Sequence, residues 1–238
     1  MASIFRESVG AVVVAAGGSR RMGGIDKIFV PLLGVPLLAY VLDQLEAFDP
    51  VDQVALVLGP ESVQRGRELV DQSGYRKDIQ VCAGGERRQD SVLNGLDALN
   101  VRTAPQWVIV QDGARPCLDC LMLQRGLEAA SGSGAAVAGV PVKDTIKVVS
   151  EENMIEKTPP RDMLWAAQTP QVFRFSLLLD AHQQCTHTVT DDAAMIEALG
   201  GEVKMFQGSY ENLKVTTPED LDIAGLVLKR RNSTINDR

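Results

Sequence analysis

Short apolar runs alternate with segments of helical period along most of this chain. Gly10 to Ala15, Gln53 to Leu58, Ile79 to Cys82, Trp107 to Gln111 and Ala135 to Val140 are rich in small and β-branched residues. Such runs read as strands buried on both faces. Pro36 to Ala47 places Leu38, Val41, Leu42 and Leu45 on one helical stripe, and Glu61 to Gln72, Arg88 to Leu99 and Asp119 to Ala130 also read as helices. Strand–helix alternation of this kind predicts an α/β fold, a mostly parallel twisted sheet flanked by helices. Ligands of such sheets bind beyond the carboxyl ends of the strands, where the strand order reverses. The glycine-rich segment after the first strand and the segment after Gln111 both lie at such ends, so they can meet across one cleft.

The rhythm breaks between Pro141 and Trp165. Short strand-like pieces there surround the polar turn SEEN, which predicts a β-arm or hairpin protruding from the sheet. Beyond Phe173 the alternation resumes, with helices at Ser176 to Gln184 and Asp191 to Leu199 and a strand at Val203 to Phe206. Thr217-Pro218-Glu219-Asp220 opens a last helix, with a capping threonine, proline at the first position and acids in the first turn. The tail KRRNSTINDR reads as frayed. With no internal repeat and no low-complexity linker, residues 1–238 read as a single domain, with 141–164 as its arm.

Composition narrows the class. The chain has 238 residues and a net charge of −7, which argues against non-specific nucleic-acid binding. Local cations can still bind anions. No apolar run approaches the roughly 18 residues of a membrane span, and the N-terminus has no long apolar signal core. A cytoplasmic protein is the default expectation, with a plastid location open if a transit peptide has been removed. Cys117 and Cys120 form a CxxC without a second close ligand pair, which reads as two thiols in a reducing compartment rather than a zinc site. His182 and His187 sit in a polar stretch, which speaks against histidine-based catalysis.

Four segments carry candidate chemistry. The first is the loop after the first strand, AAGGSRRMGGIDK, with Ala15, Ala16, Gly17 and Gly18 followed by Arg20, Arg21 and Lys27. Close-approaching backbone beside three cations suits a polyphosphate. It is neither a Walker loop nor a dinucleotide fingerprint, and taken alone it is equally a glycine turn with solvated arginines. The second is QDGARP, where Asp112 at a strand end can hold a divalent cation and Arg115 can take a phosphate. The third is GGERRQDSV, a glycine turn entering a helix, where the backbone of Gly84 and Gly85 and the side chains of Glu86 and Ser91 suit a base or ribose. The fourth is NLKVT, whose Lys214 lies in an extended segment before the last helix.

Together these segments, with VKDTIK, RDMLWAAQTPQVF, VTDDA and NLKVTTPEDL, resemble in order and rough spacing the 2-C-methyl-D-erythritol 4-phosphate cytidylyltransferases. The resemblance spans about Gly10 to Ala224 and is shared in part with ribitol-5-phosphate cytidylyltransferases. It implies a Rossmann-like nucleotidyltransferase fold, CTP and a polyol phosphate as substrates, a divalent cation (usually Mg2+) and release of diphosphate. It also implies a homodimer in which the arm reaches over the neighbour's site. By the resemblance, Arg21 and Lys27 wrap the triphosphate and act with Lys214 as the catalytic cations. Ala15, Ala16, Gly17, Gly18, Gly85, Glu86, Ser91 and Gly113 frame the nucleotide, and Asp112 holds the metal. Arg115, Thr169, Thr190 and Lys214 face the polyol phosphate, while Thr145 and Arg161 complete the partner's site.

Three positions depart from the family pattern. Asp26 stands where proline is common and puts an acid near the triphosphate. Gly113 replaces alanine or serine and is expected to add flexibility, and Glu86 replaces the commoner aspartate. The implied reaction needs no general base, because a phosphate monoester, with a second pKa of about 6, is already an anion near neutral pH. It needs fixed positive charge and in-line geometry. Three other readings compete: a catalytically silent binding module on this fold, against which the joint presence of Arg21, Lys27, Asp112 and Lys214 speaks, the ribitol enzyme, and a nucleotide-sugar glycosyltransferase. The last class wants an Asp-x-Asp at a strand end, and the only such triplet, Asp220-Leu221-Asp222, falls in the last helix.

Overall fold

The predicted apolar runs become the parallel strands β1 (Val9–Ala15), β4 (Val51–Leu58), β5 (Asp78–Ala83), β6 (Trp107–Asp112) and β7 (Ala135–Pro141). Two short ribbons flank them: β2 (Pro31–Leu32) with β3 (Val35–Pro36), and β8 (Val148–Val149) with β9 (Ile155–Lys157). The computed structural model describes residues 7–17, 26–101 and 103–236, the last three through their backbone alone. Helices follow the strands as expected: α1 (Leu37–Ala47), α2 (Val63–Ser73), α3 (Arg88–Asn100), α4 (Cys120–Ser133), α5 (Phe175–Gln184), α6 (Ala193–Ala198) and α7 (Pro218–Asn236).

One central strand is missing from the sequence reading. Strand β10 (Trp165–Arg174) runs antiparallel between β6 and β7. Its sequence WAAQTPQVFR alternates no apolar face, contains Pro170, and buries Gln168, Thr169 and Gln171 among its central residues. The register also shifts between Ala167 and Gln171. A polar, proline-containing run does not signal a central strand. With β11 (Lys204–Gln207) at one edge, the sheet order is β11-β7-β10-β6-β1-β4-β5.

Alternation along the strands divides the core into two layers. On β1, Val9, Ala11, Val13 and Ala15 face the layer that holds Leu38, Leu42 and Leu45 of α1 and Met122, Leu123 and Leu127 of α4. Val12 faces the other layer, with Val92 and Leu96 of α3 and Leu178 of α5. Truncating one such fully buried leucine to alanine costs about 2–5 kcal/mol. Helix α3 lies close on the sheet because Gly95 carries no Cβ. A methyl there would stand 2.4 Å from Cγ1 of Val12.

The last helix departs from expectation at its far end. The tail read as frayed continues α7 through Asn236. Arg230 and Arg231 pair with Glu211, and Arg231 also donates to the Cys117 carbonyl at 2.9 Å. At its start, Asp220 accepts the N–H groups of Thr216 and Thr217 at 2.7 and 2.9 Å, so an acid in the first turn satisfies the helix entry. Between β7 and β10, residues 142–164 form the exposed segment that carries the β8–β9 ribbon.

Candidate active site

The order of the sheet places its switch point between β1 and β6. The chain leaves β1 for β4 and β5, then returns to build β6 on the other side. At these two carboxyl ends lie Ala15-Ala16-Gly17 and Asp112-Gly113. The Gly113 N–H donates to the Val14 carbonyl at 2.9 Å, which joins the two loops. A Cβ on Gly113 would come within 2.8 Å of the Ala15 Cβ. Glycine therefore provides room for close approach, where the sequence suggested added flexibility.

A cleft of about 280 Å³ opens at this junction. Ala15, Ala16 and Gly17 form one wall, Gly85, Glu86 and Ser91 a second, and Lys27, Asp112 and Lys214 a third. Ser91 is buried and shapes its wall from within. Its hydroxyl accepts the Gly85 N–H at 3.2 Å and donates to the Arg87 carbonyl at 3.1 Å. Asp90, at the third helical position, accepts the Arg87 N–H at 3.0 Å and fixes where α3 begins. Lys27 opens a 3₁₀ turn (Lys27–Phe29) anchored by buried Ile28 and Phe29, and its Nζ donates to the Val215 carbonyl at 3.0 Å. That bond ties the front of the cleft to the segment carrying Lys214. Gly18, Arg20 and Arg21 lie outside the described residues.

A second cleft of about 250 Å³ adjoins the first. Arg115, Thr169 and Thr190 line it, with Gln168, Gln171 and Asp191, and it shares Asp112, Arg88 and Lys214 with the first. Asp112 is buried in the common wall. Its Oδ2 is 3.0 Å from Lys214 Nζ and 3.3 Å from Arg115 Nε, while its Oδ1 faces Arg88 Nε at 3.9 Å. Burial pushes the Asp112 carboxyl up, but Lys214, Arg88 and Arg115 outweigh that and hold it below the ordinary aspartate value. Asp112 is thus anionic at neutral pH. Its backbone N–H donates to Thr169 Oγ1 at 3.0 Å, so β10 supports the strand end directly. Burial lowers the Arg115 guanidinium from its ordinary value, against the attraction of Asp112. Its NH1 donates to the Asn212 carbonyl at 2.7 Å.

Two predicted residues lie apart from both clefts. Thr145 and Arg161 are exposed on the arm, where Arg161 donates to the Lys143 carbonyl at 2.8 Å. Four residues of the surroundings escaped sequence reasoning. Arg88 lines both clefts, and Asp192 lies fully buried behind it. His182, read from a polar stretch, has a side chain only 2% exposed, with Nε2 at 3.5 Å from Asp192. Asn212 is fully buried and donates to the Thr169 carbonyl at 2.8 Å. Arg88, Asp192 and Asn212 all sit inside the motifs GGERRQDSV, VTDDA and NLKVT, but their long-range partners are invisible in one dimension. Cys117 is buried beneath α7, and burial pushes its thiol up to about 11.

Paired clefts at the switch point of an α/β sheet, with an anionic carboxylate among fixed cations, suit an enzyme that joins two phosphate-bearing substrates, as a nucleotidyltransferase does. The family model for IspD, 2-C-methyl-D-erythritol 4-phosphate cytidylyltransferase, matches residues 9–230. The chain belongs to this family. It is 49% identical to the 2-C-methyl-D-erythritol 4-phosphate cytidylyltransferase of Dehalococcoides mccartyi strain 195, over 94% of this chain and 97% of that one. The enzyme of the same name from Syntrophotalea carbinolica is 45% identical over 91% and 94% of the two chains. Among solved structures, the 4-diphosphocytidyl-2C-methyl-D-erythritol synthase of Anaerococcus prevotii superposes with a TM-score of 0.82 at 26% identity, covering 94% of this chain and 99% of that one. The 2-C-methyl-D-erythritol 4-phosphate cytidylyltransferase of Thermus thermophilus gives 0.73 at 31% identity, over 93% and 99%. This chain is accordingly a CTP-dependent cytidylyltransferase. No helix among the described residues is long and apolar enough to cross a membrane.

Proposed function

We propose that the first cleft holds CTP, the second holds 2-C-methyl-D-erythritol 4-phosphate, and the reacting phosphorus lies at the wall between them. The reaction transfers the cytidylyl group of CTP to that polyol phosphate, giving 4-CDP-2-C-methyl-D-erythritol and diphosphate in isoprenoid precursor synthesis. The observation that carries the placement is the common wall: Asp112, Arg88 and Lys214 line both clefts. One anion must approach another there, so fixed cations on each side of the new bond are what the chemistry requires.

In this reading the monoester oxygen of the acceptor attacks the α-phosphorus of CTP. The P–O bond to the β-phosphate breaks, and its electron pair leaves with diphosphate. Lys214 spans the junction and offsets charge on both reacting phosphates. Lys27, with Arg21, stabilises charge growing on the leaving diphosphate. Ala15, Ala16, Gly17, Gly85 and Glu86 seat the nucleoside, and Arg115, Thr169 and Thr190 orient the acceptor. Positioning and charge are the whole of the catalysis, and no proton needs to be removed.

The donor set fits a divalent cation such as Mg2+. Lys214 and Arg115 occupy Oδ2 of Asp112, whereas Oδ1 has its nearest cation at 3.9 Å, too far for a hydrogen bond. One carboxylate oxygen plus substrate phosphates is a common way to hold magnesium, and among the described residues no larger cluster of metal ligands occurs. Such a cation would neutralise phosphate charge.

The arm, residues 141–164, is assigned to dimerisation. Ile146, Val148, Val149, Met154, Ile155 and Met163 are exposed there, and exposed apolar surface of this kind marks an interface. Thr145 and Arg161 then reach the partner's second cleft. Diphosphate release from CTP with each purified acceptor tests the substrate assignment. 2-C-methyl-D-erythritol 4-phosphate should support turnover and ribitol 5-phosphate should not. Comparable rates with both would remove the assignment of the polyol.

A further inference from the structure

Arg88 is the first residue of α3, directly after the glycine turn that lines the first cleft. Its guanidinium reaches between two carboxylates. NH1 donates to Oδ2 of Asp192 at 2.7 Å, and Nε stands 3.9 Å from Oδ1 of Asp112. Asp192 is fully buried, and its other oxygen faces His182 at 3.5 Å. The second terminal nitrogen of Arg88 is buried without a hydrogen-bond partner, so it does not point to solvent. An arginine spent only on surface solubility would not be placed in this way. Next to it, Gln89 donates to the His187 carbonyl and accepts the Val189 N–H, each at 3.3 Å. Two consecutive side chains of α3 therefore fasten the segment 187–192, which carries Thr190 and Asp191 of the second cleft.

We propose that Arg88, anchored by Asp192, is a positioning residue for cytidylyl transfer. It holds the acceptor wall at Thr190 in register with the Asp112 carboxylate. The inference rests on the reading that Asp112 marks the reacting wall. Arg88 supports the Oδ1 side electrostatically without hydrogen-bonding it, which leaves that oxygen open, while Lys214 and Arg115 fix Oδ2. The planar, rigid fork of arginine can bridge two carboxylates that lysine, a single point charge, cannot hold at once. Because Arg88 and Asp192 act as one strut, their loss should not be additive.

Steady-state kinetics on Arg88→Lys, Asp192→Asn and the double variant test this. Asp192→Asn should raise KM for the polyol phosphate and lower kcat, each by about tenfold, while KM for CTP stays within about twofold. Arg88→Lys should lower kcat by about tenfold, and the double variant should lose no more than about twofold beyond the worse single variant. A purely structural role would lower the thermal midpoint and leave the kinetics per folded molecule unchanged. Normal kinetics in a folded Asp192→Asn enzyme, or losses that multiply in the double variant, would overturn the proposal. If Asp192→Asn does not fold, Arg88→Lys is judged by the same kcat criterion. If neither folds, the neutral Gln89→Ala variant must raise KM for the polyol phosphate selectively. Lys214→Ala is run alongside. A dead Lys214→Ala enzyme beside normal strut variants would sink the strut alone, whereas an active Lys214→Ala enzyme would remove the site reading beneath it.

Discussion

In the first cleft, Ala15, Ala16, Gly17, Gly85 and Ala114 bring main chain close to the space between the charged side chains, whereas polar side chains line most of the second. Around the first, short loops leave the ends of parallel strands, and glycine and alanine let backbone approach a ligand. Around the second, Gln168, Thr169 and Gln171 of β10 meet Arg115 and Asp191 from two other segments, and hydrogen bonds to Asn212 or to one another tie them together. A main-chain frame tolerates most side-chain changes, because each wall persists when one side chain is cut. A side-chain frame loses a contact with every deletion. Substitutions in the common wall should therefore damage turnover, and substitutions confined to one frame should damage one substrate's affinity.

The common wall should give the largest effects. Lys214→Ala is expected to cut turnover at saturating CTP by roughly 10²–10³, the usual worth of one preorganised donor at developing charge. Lys27→Ala should lose at least about tenfold, with both proteins folded. Near-normal turnover in the Lys214 variant would break the idea of a common reacting wall, since no other lysine among the described residues lines both clefts. Asp112→Asn should be as inactive, and it carries a pH signature. The Asp112 carboxyl is depressed in the fold, so its contribution to stability is complete above the unfolded value of about 3.9 and is lost as pH falls through the folded value. The stability gap between wild type and Asp112→Asn, read from urea midpoints, should thus be wide at neutral pH and close on acidification. A gap that widened in acid would mean that the carboxylate is not held ionised by its three cations.

The same contrast explains what could be read from residues alone. The parallel strands and their helices were legible because each strand carries its burial in its own side chains, as the run Val9–Ala15 does. The loop at Ala15 to Gly17 and the strand-end Asp112 were legible because local chemistry marks them. Strand β10 was not, because its burial is polar and its partners are distant: Gln168 bonds to Ser209, Gln171 to Asp191 and Thr169 to Asp112. Arg88 and Asp192 stand 104 positions apart, and nothing near either one announces the pair. Nothing in the local sequence NLKVT singles out Lys214, and the family resemblance alone does so. Only its distance to Asp112 supplies the physical reason.

An effect on one frame alone is expected from the arm. Arg161→Ala should raise KM for the polyol phosphate by about tenfold or more, the range of a lost charge-assisted hydrogen bond, while CTP affinity survives. Equal loss of CTP affinity would contradict its assignment to the second frame. Whether it acts in a second copy of the chain, as the proposed arm-mediated dimer requires, is decided by mixing. Lys27→Ala and Arg161→Ala proteins, each impaired for a different reason, should recover part of the activity after subunit exchange. No recovery once exchange has been demonstrated would place Arg161 outside a shared site.

The smallest effect should come from Asp26, the acid that the sequence placed beside Lys27 and the triphosphate. Its carboxylate accepts the Ser62 hydroxyl at 2.5 Å, in the turn Pro60–Ser62 that follows β4. An acid committed to a neutral donor on a neighbouring loop shapes the entry to Lys27 more than it repels phosphate. Asp26→Ala should accordingly change KM for CTP by less than about threefold, and cost about 1 kcal/mol of stability for the lost hydrogen bond. If instead its charge acted on the bound nucleotide, removing it would relieve a repulsion and tighten CTP. A drop in KM of about tenfold, with the expected loss of stability absent, would show that Ser62 does not hold the carboxylate when CTP is bound. Ser62→Ala separates the two cases further: it should mimic Asp26→Ala in stability, and it should weaken CTP binding only if it frees the carboxylate to face the phosphates.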